Sequence, residues 1–204
     1  MRLCIFGAAS NDIDQSYIDA TFDFAKKLAE RGHSLVFGAG KEGLMGAAAR
    51  GFTAGNAEII GVIPHFFDEF DVEVKYKKCT RLIMTNTMHE RKAKMEDLAD
   101  AFVIIPGGVG TFEEFFEVIT LKQLGRHKKP IAIYNMNGYY DNLEALLDTA
   151  IEQGFFNEAC RDIYKFTSDE EELIYYLEND KETELTLYEL KKSKNSKNRK
   201  DSED

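Results

Sequence analysis

The sequence is poor in cysteine, short of positive charge and without a long hydrophobic run, and each shortage removes a class of protein. Cys4, Cys79 and Cys160 are odd in number, scattered and set among apolar or strand-like residues, so they make neither a disulfide framework nor a zinc motif. The reducing cytosol is their natural setting. Lysine and arginine number 26 against 36 aspartates and glutamates, a formal net charge of -10. Such a field repels nucleic acid and anionic membrane, so neither is expected as a partner, and an anionic ligand must be held by a local positive site. The apolar stretch Leu3-Cys4-Ile5-Phe6 is cut by Gly7, too short for a signal-peptide core, and no stretch is long enough to cross a bilayer. His33, His65 and His127 are isolated, with no Ser/His/Asp or Cys/His arrangement around them, and surface or packing roles suit them.

What the chain does have is a rhythm. Its 204 residues, 44% of them hydrophobic, suffice for the core of one compact domain. Short apolar runs alternate with longer amphipathic segments, which predicts an α/β fold, a Rossmann-like doubly wound parallel sheet with helices on both faces. Strands are predicted at 3–6, 34–37, 58–63, 79–84, 102–105, 131–134 and 164–166, and helices at 15–30, 44–53, 88–99, 111–124, 139–152 and 169–178. Glycines such as Gly32 and Gly125 close several of the helices. The domain is expected to span 1–180, followed by a charged tail, 181–204. Its last part, from Lys191 on, is almost wholly Lys, Asn, Ser, Arg, Asp and Glu, too polar to offset the entropy of ordering, and reads as disordered.

In a fold of this kind ligands bind at the carboxyl ends of the strands. There the strand at 102–105 runs into Pro106-Gly107-Gly108-Val109-Gly110-Thr111 before a helix. Glycines let backbone N–H groups approach an anion, and a helix start adds unpaired donors and the positive end of the dipole, so this reads as a phosphate cradle. It lacks the Lys-Ser/Thr ending of a nucleoside-triphosphate loop. Thr111-Phe112-Glu113-Glu114 fits a capping box, which by spacing alone makes Glu114 a helix cap. Glu113, with Glu117 one turn on, reads as solvated surface. Phe112, Phe115, Phe116 and Ile119 form one apolar stripe, while Val118 and Leu121 lie on the side that holds Glu114. Two covered sides suggest a homodimer with the site near its interface.

The helix that starts near Met88 places Arg91 and Lys92 on the apolar stripe of Met88, Met95 and Leu98. Snorkelling stems would explain this, but at the ligand edge of a sheet two cations suit an anion hole. One charge pair at about 4 Å is worth about 4 kcal/mol at an effective dielectric near 20, before desolvation. His89 and Glu90 are expected to face outward. Gly38-Ala39-Gly40-Lys41-Glu42-Gly43 matches the dinucleotide fingerprint, yet the acid at the right distance, Glu58, falls at the start of the next strand instead of at its carboxyl end. The loop therefore reads as helix packing and a wall of the nucleotide pocket.

Met88-His89-Glu90-Arg91-Lys92 and Pro106-Gly107-Gly108-Val109-Gly110-Thr111-Phe112-Glu113-Glu114 together closely resemble the paired signatures of the Lonely Guy family. Gly43-Leu44-Met45-Gly46, Gly61-Val62-Ile63-Pro64, Gln123-Leu124-Gly125 and Gly138-Tyr139-Tyr140 resemble further landmarks, so the likeness runs from the first strand to about Leu177. It implies a Rossmann-like cytoplasmic homodimer, without cofactor or metal, that hydrolyses cytokinin riboside 5'-monophosphates or plain AMP to base and ribose 5-phosphate. The resemblance makes Arg91 and Glu114 the catalytic pair. Substrate would be held by Arg91, Lys92, Gly107, Gly108, Val109, Gly110, Thr111 and Glu113, with Glu73 as a further contact. Two departures bear on base recognition: the first loop reads Gly7-Ala8-Ala9-Ser10 in place of a glycine-serine-serine turn, and Arg81 stands where an acid is usual. The alternative is a nucleotide- or cofactor-binding carrier or sensor of the same fold. Proteins of this kind have also been labelled possible lysine decarboxylases, but no lysine is placed with partners for pyridoxal phosphate.

Overall fold

The structure, a computed structural model, describes residues 1–67 and 75–179. Its seven-stranded sheet is built from β1 (Arg2–Phe6), β2 (Ser34–Phe37), β3 (Ile59–Pro64), β4 (Arg81–Thr85), β5 (Ala101–Ile104), β6 (Ile131–Tyr134) and β7 (Lys165–Thr167), in the order β4-β3-β2-β1-β5-β6-β7. Every neighbouring pair is parallel. The helices are α1 (Gln15–Glu30), α2 (Gly43–Ala54), α3 (Met88–Leu98), α4 (Val109–Gln123), α5 (Asp141–Glu152) and α6 (Glu170–Asn179). All predicted ends are met to within two residues. Short 3-10 turns at Met136–Gly138 and Glu158–Ile163 were not foreseen, being too short for periodicity to show. The predicted tail, 181–204, lies outside the described residues.

Parallel strands are covered on both faces, which is why Leu3-Cys4-Ile5-Phe6 in β1 and all of β5 and β6 read as unbroken apolar runs and are buried throughout. Alternate residues divide between two cores. Leu3, Ile5, Leu35, Phe37 and Val103 pack under α1, α2 and α6, while Cys4, Phe6, Val36, Phe102 and Ile104 pack under α3, α4 and α5. Gly32 (φ +84°) and Gly125 (φ +66°) take the left-handed conformation that ends α1 and α4. At α4 the N–H of Gly125 bonds Lys122 O at 2.9 Å and that of Arg126 bonds Leu121 O at 2.8 Å, a Schellman stop.

Strand order reverses between β1 and β5. Chain leaving β1 moves toward β2, chain leaving β5 moves toward β6, and a crevice opens where they part. Ala8 N bonds Pro106 O across its floor at 3.0 Å.

Candidate active site

A cavity of about 360 Å³ occupies this switch point. Ile5, Met45 and Met95 give it apolar walls, and Gly108, Gly110, Thr111, Glu114 and Arg91 give it polar ones.

The floor comes from the glycine loop and the start of α4. The helix begins two residues earlier than the sequence suggests, with Gly108 as N-cap (φ -95°, ψ -153°) and no side-chain cap. Its first helical bond runs from Phe112 N to Gly108 O at 3.0 Å, so the N–H groups of Val109, Gly110 and Thr111 precede the ladder and carry the positive dipole end. The capping box expected at Thr111 and Glu114 is therefore not formed, because Glu114 lies in the second turn. A comparable arrangement occurs at α3 instead. Thr87 Oγ1 accepts from Glu90 N at 3.1 Å, and the Glu90 carboxylate accepts from Asn86 N at 2.8 Å. His89 and Glu90 are exposed, as expected.

The loop's glycines serve two needs. A Cβ at Gly107 would lie 2.2 Å from Thr111 Oγ1, so this position must be bare for the loop to fold over its helix. At Gly108 and Gly110 a Cβ would meet nothing within 4 Å. Protein packing does not ask for glycine at either position, but close approach by a ligand does. Two tyrosines hold the loop from behind: Tyr139 OH donates to Gly107 O at 2.6 Å, and Tyr140 OH donates to Ile105 O at 2.8 Å.

Glu114 and Arg91 both face the cavity. α4 buries Thr111, Phe115, Val118, Ile119 and Lys122, a helical face that brings Glu114 inward with it. Val118 thus belongs to the core with Phe115 and Ile119, whereas Phe116, predicted in their stripe, is 41% exposed. Burial pushes the Glu114 carboxyl up to about 7, against the opposing pull of the Arg91 guanidinium. Arg91 is held by the ends of two strands: its Nε donates to Val62 O at 3.2 Å and its Nη2 to Gly38 O at 3.3 Å. The guanidinium carbon lies 5.8 Å from the centre of the Phe67 ring.

Other candidates go elsewhere. Lys92, expected on phosphate, turns to α4, where Nζ pairs with Glu113 and lies 2.7 Å from Glu117 Oε2. Glu113, expected on substrate, and Glu117, expected to be solvated, therefore tie α4 to α3. Val109 stands at the loop's edge, 84% exposed. Glu73 lies outside the described residues. Gly38 and Gly40 line the cavity, consistent with the fingerprint loop as a pocket wall. The packing roles expected of histidine hold for two: His33 is buried against Glu178, and His127 donates from Nε2 to Val118 O at 2.9 Å. Among the described residues, no group of three His, Cys, Asp or Glu is placed to hold a metal ion. Sequence reasoning does not reveal Tyr139 and Tyr140 as supports of the glycine loop, although the motif Gly138-Tyr139-Tyr140 is the available signal.

Residues 45–177 match the family model described as "Possible lysine decarboxylase". Cytokinin riboside 5'-monophosphate phosphoribohydrolase LOG2 of Arabidopsis thaliana is 38% identical over 177 residues, 87% of this chain and 82% of that protein. The corresponding LOG protein of Oryza sativa subsp. japonica is 40% identical over 177 residues, 87% of this chain and 72% of its own. Among solved structures, the molybdenum cofactor carrier protein of Chlamydomonas reinhardtii superposes with a TM-score of 0.65 at 16% identity, over 87% of this chain and 95% of that one. The molybdenum cofactor binding protein of Rippkaea orientalis gives a TM-score of 0.63 at 15% identity, over 88% and 96%. These two show the shared fold. The identity to the plant enzymes over most of both chains shows more: this chain belongs to the Lonely Guy family, that of the cytokinin riboside 5'-monophosphate phosphoribohydrolases.

Proposed function

We propose that this chain hydrolyses the N-glycosidic bond of adenosine 5'-monophosphates, plain or N6-modified, to free base and ribose 5-phosphate. The observation that carries this reading is that Arg91 and a half-buried Glu114 line one cavity together with Gly110 and Thr111 at the head of α4. Phosphate sits on those amides at the positive end of α4, with Arg91 supplying the charge that the chain as a whole lacks.

Breaking the bond from C1' to the base leaves the electron pair on the base nitrogen and positive charge on the ribose. Glu114, ionised, faces that charge and orients the attacking water, whose oxygen bonds C1' as one of its protons departs. The base takes up a proton as it leaves. A carboxyl titrating near 7 is suited to this work at neutral pH.

Decarboxylation by pyridoxal phosphate fits poorly, because no lysine is among the described residues lining the cavity. A carrier of the same fold is the rival reading, and the acid lining the cavity opposite apolar walls favours hydrolysis over it. We also propose a homodimer in the cytoplasm. Val109 and Phe116, two turns apart on α4, leave large apolar side chains exposed, and the thiols are free. Incubating the purified protein with AMP and with N6-isopentenyl-AMP tests the activity. Free base is expected from at least one, and a nucleotide bound but returned intact would favour the carrier.

A further inference from the structure

Arg91 reaches its place by a long route. It leaves the first turn of α3 and crosses to the carboxyl ends of β2 and β3, where the carbonyls of Gly38 and Val62 accept from it. A long side chain held in one orientation needs walls as well as partners, and one wall is the bare α-carbon of Gly38. A Cβ built there would lie 1.7 Å from Arg91 Nη2, 2.8 Å from Cζ and 3.4 Å from Nε, and these are the three heavy atoms nearest to it.

Two ordinary reasons for a glycine fail at this position. Gly38 is not among the residues with positive φ; its neighbour Ala39 takes that conformation, at +66°, with its carbonyl accepting from Tyr76 N at 2.8 Å. Nor does backbone crowd it. At Gly46 the nearest atom to a Cβ would be Lys41 O at 1.7 Å, and at Gly51 it would be Phe22 O at 2.5 Å, both rigid main chain. At Gly38 the atoms in the way belong to the movable end of a side chain.

We propose that Gly38 is a positioning residue: its missing side chain is the seat of the Arg91 guanidinium, and it serves base release through Arg91 alone. This rests on the reading of the cavity as a nucleotide hydrolase site. A methyl group there evicts the guanidinium while the strands stay where they are. The dinucleotide-like glycine motif is thereby given a different use, in which the group that approaches the bare backbone is the protein's own cation.

The test is a double-mutant cycle of wild type, Gly38→Ala, Arg91→Ala and the double variant, followed by melting temperature, AMP affinity by calorimetry and rates of base release. Gly38→Ala should keep the melting temperature and lose about 10- to 100-fold in kcat/KM, the range for a misplaced charge-assisted contact. In the Arg91→Ala background the same change should cost less than about twofold. An equal loss in both backgrounds, or wild-type kcat/KM in Gly38→Ala, would overturn the proposal. If Gly38→Ala fails to fold, the double variant should fold again, since the obstructing guanidinium is gone, and its failure to do so also overturns the proposal. Should wild type bind AMP without releasing base, the hydrolase reading fails by itself. The cycle is then read on AMP affinity, with the same pattern expected and the same pattern decisive against it.

Discussion

Two glycine-rich loops border the cavity, and they use the same residue for opposite ends. After β5, a side chain at Gly108 or Gly110 would stand in open space. After β2 and at the start of α2, it would strike the protein itself: Arg91 at Gly38, Ala8 O at Gly43 and Lys41 O at Gly46. Gly107 apart, where a side chain would strike Thr111, the first loop leaves room at Gly108 and Gly110 for something from outside to come near, whereas the second is bare so that parts already present can. A glycine motif in sequence does not distinguish them; the space around each α-carbon does.

On the proposed function, the largest effect is expected at Glu114, which lines the cavity beside the first loop. Glu114→Gln should lower base release by about a thousandfold or more, within the range for a lost base and charge stabiliser, while AMP still binds. Retained turnover would remove Glu114 from the mechanism. The carboxyl, pushed to about 7 from an ordinary 4.5, must be ionised to act, so kcat/KM should climb with pH through about 7 and level off above it. Its effect on stability has the opposite slope. The folded chain keeps this proton to a higher pH than the unfolded chain, so the contribution is complete below about 4.5 and lost as pH rises through about 7. Glu114→Gln lacks that loss, and its advantage in melting temperature over wild type should widen between pH 4.5 and 8. A constant difference would contradict the buried setting of the carboxyl.

Next in size, Gly110→Ala sharpens the comparison directly, since a methyl group there meets no protein atom within 4 Å. It should weaken AMP binding about 10- to 100-fold by crowding the amides, as lost charge-assisted contacts do. The fold should gain about 0.4 to 1 kcal/mol, because alanine suits a helix better than glycine. Calorimetry and thermal melts report the two signs separately, and unchanged AMP affinity would mean that nothing docks at this loop. Gly46→Ala should do the reverse, costing about 1 to 3 kcal/mol of stability through overpacking against Lys41 O. Its AMP affinity per folded molecule should stay near wild type. A stable Gly46→Ala protein would break the contrast between the loops.

The smallest effect concerns the bridge between α3 and α4. The Glu117 carboxylate is 32% exposed, so Glu117→Gln should cost under about 1 kcal/mol in a melt even though Lys92 lies 2.7 Å away. A larger loss would mean that this pair anchors the site.

The sheet was legible because parallel strands are buried on both sides, which leaves runs such as Ala101-Phe102-Val103-Ile104 unmistakable. Helix ends were readable where glycine at positive φ stops the chain, as at Gly32 and Gly125. The start of α4 falls two residues before its predicted place because two features compete for it. Thr111 and Glu114 have the spacing of a capping box, yet Gly108 caps the helix and carries Glu114 past the first turn. The ion pairs of Lys92 with Glu113 and Glu117 are not legible in the sequence, because helix-to-helix pairs between distant segments leave no trace in local spacing. Tyr139 and Gly38 were visible as motifs, but what they touch depends on Gly107 and Arg91, which lie far along the chain.

The claim on which the rest depends is that phosphate rests on the amides at the head of α4 with the ribose turned toward residue 114. A crystal of Glu114→Gln grown with AMP tests it while keeping the nucleotide whole. The expected result is phosphate oxygens within hydrogen-bond distance of the Gly110 and Thr111 amides and of Arg91, with C1' beside the substituted side chain at position 114. AMP bound elsewhere, or a cavity empty at saturating nucleotide, would contradict it.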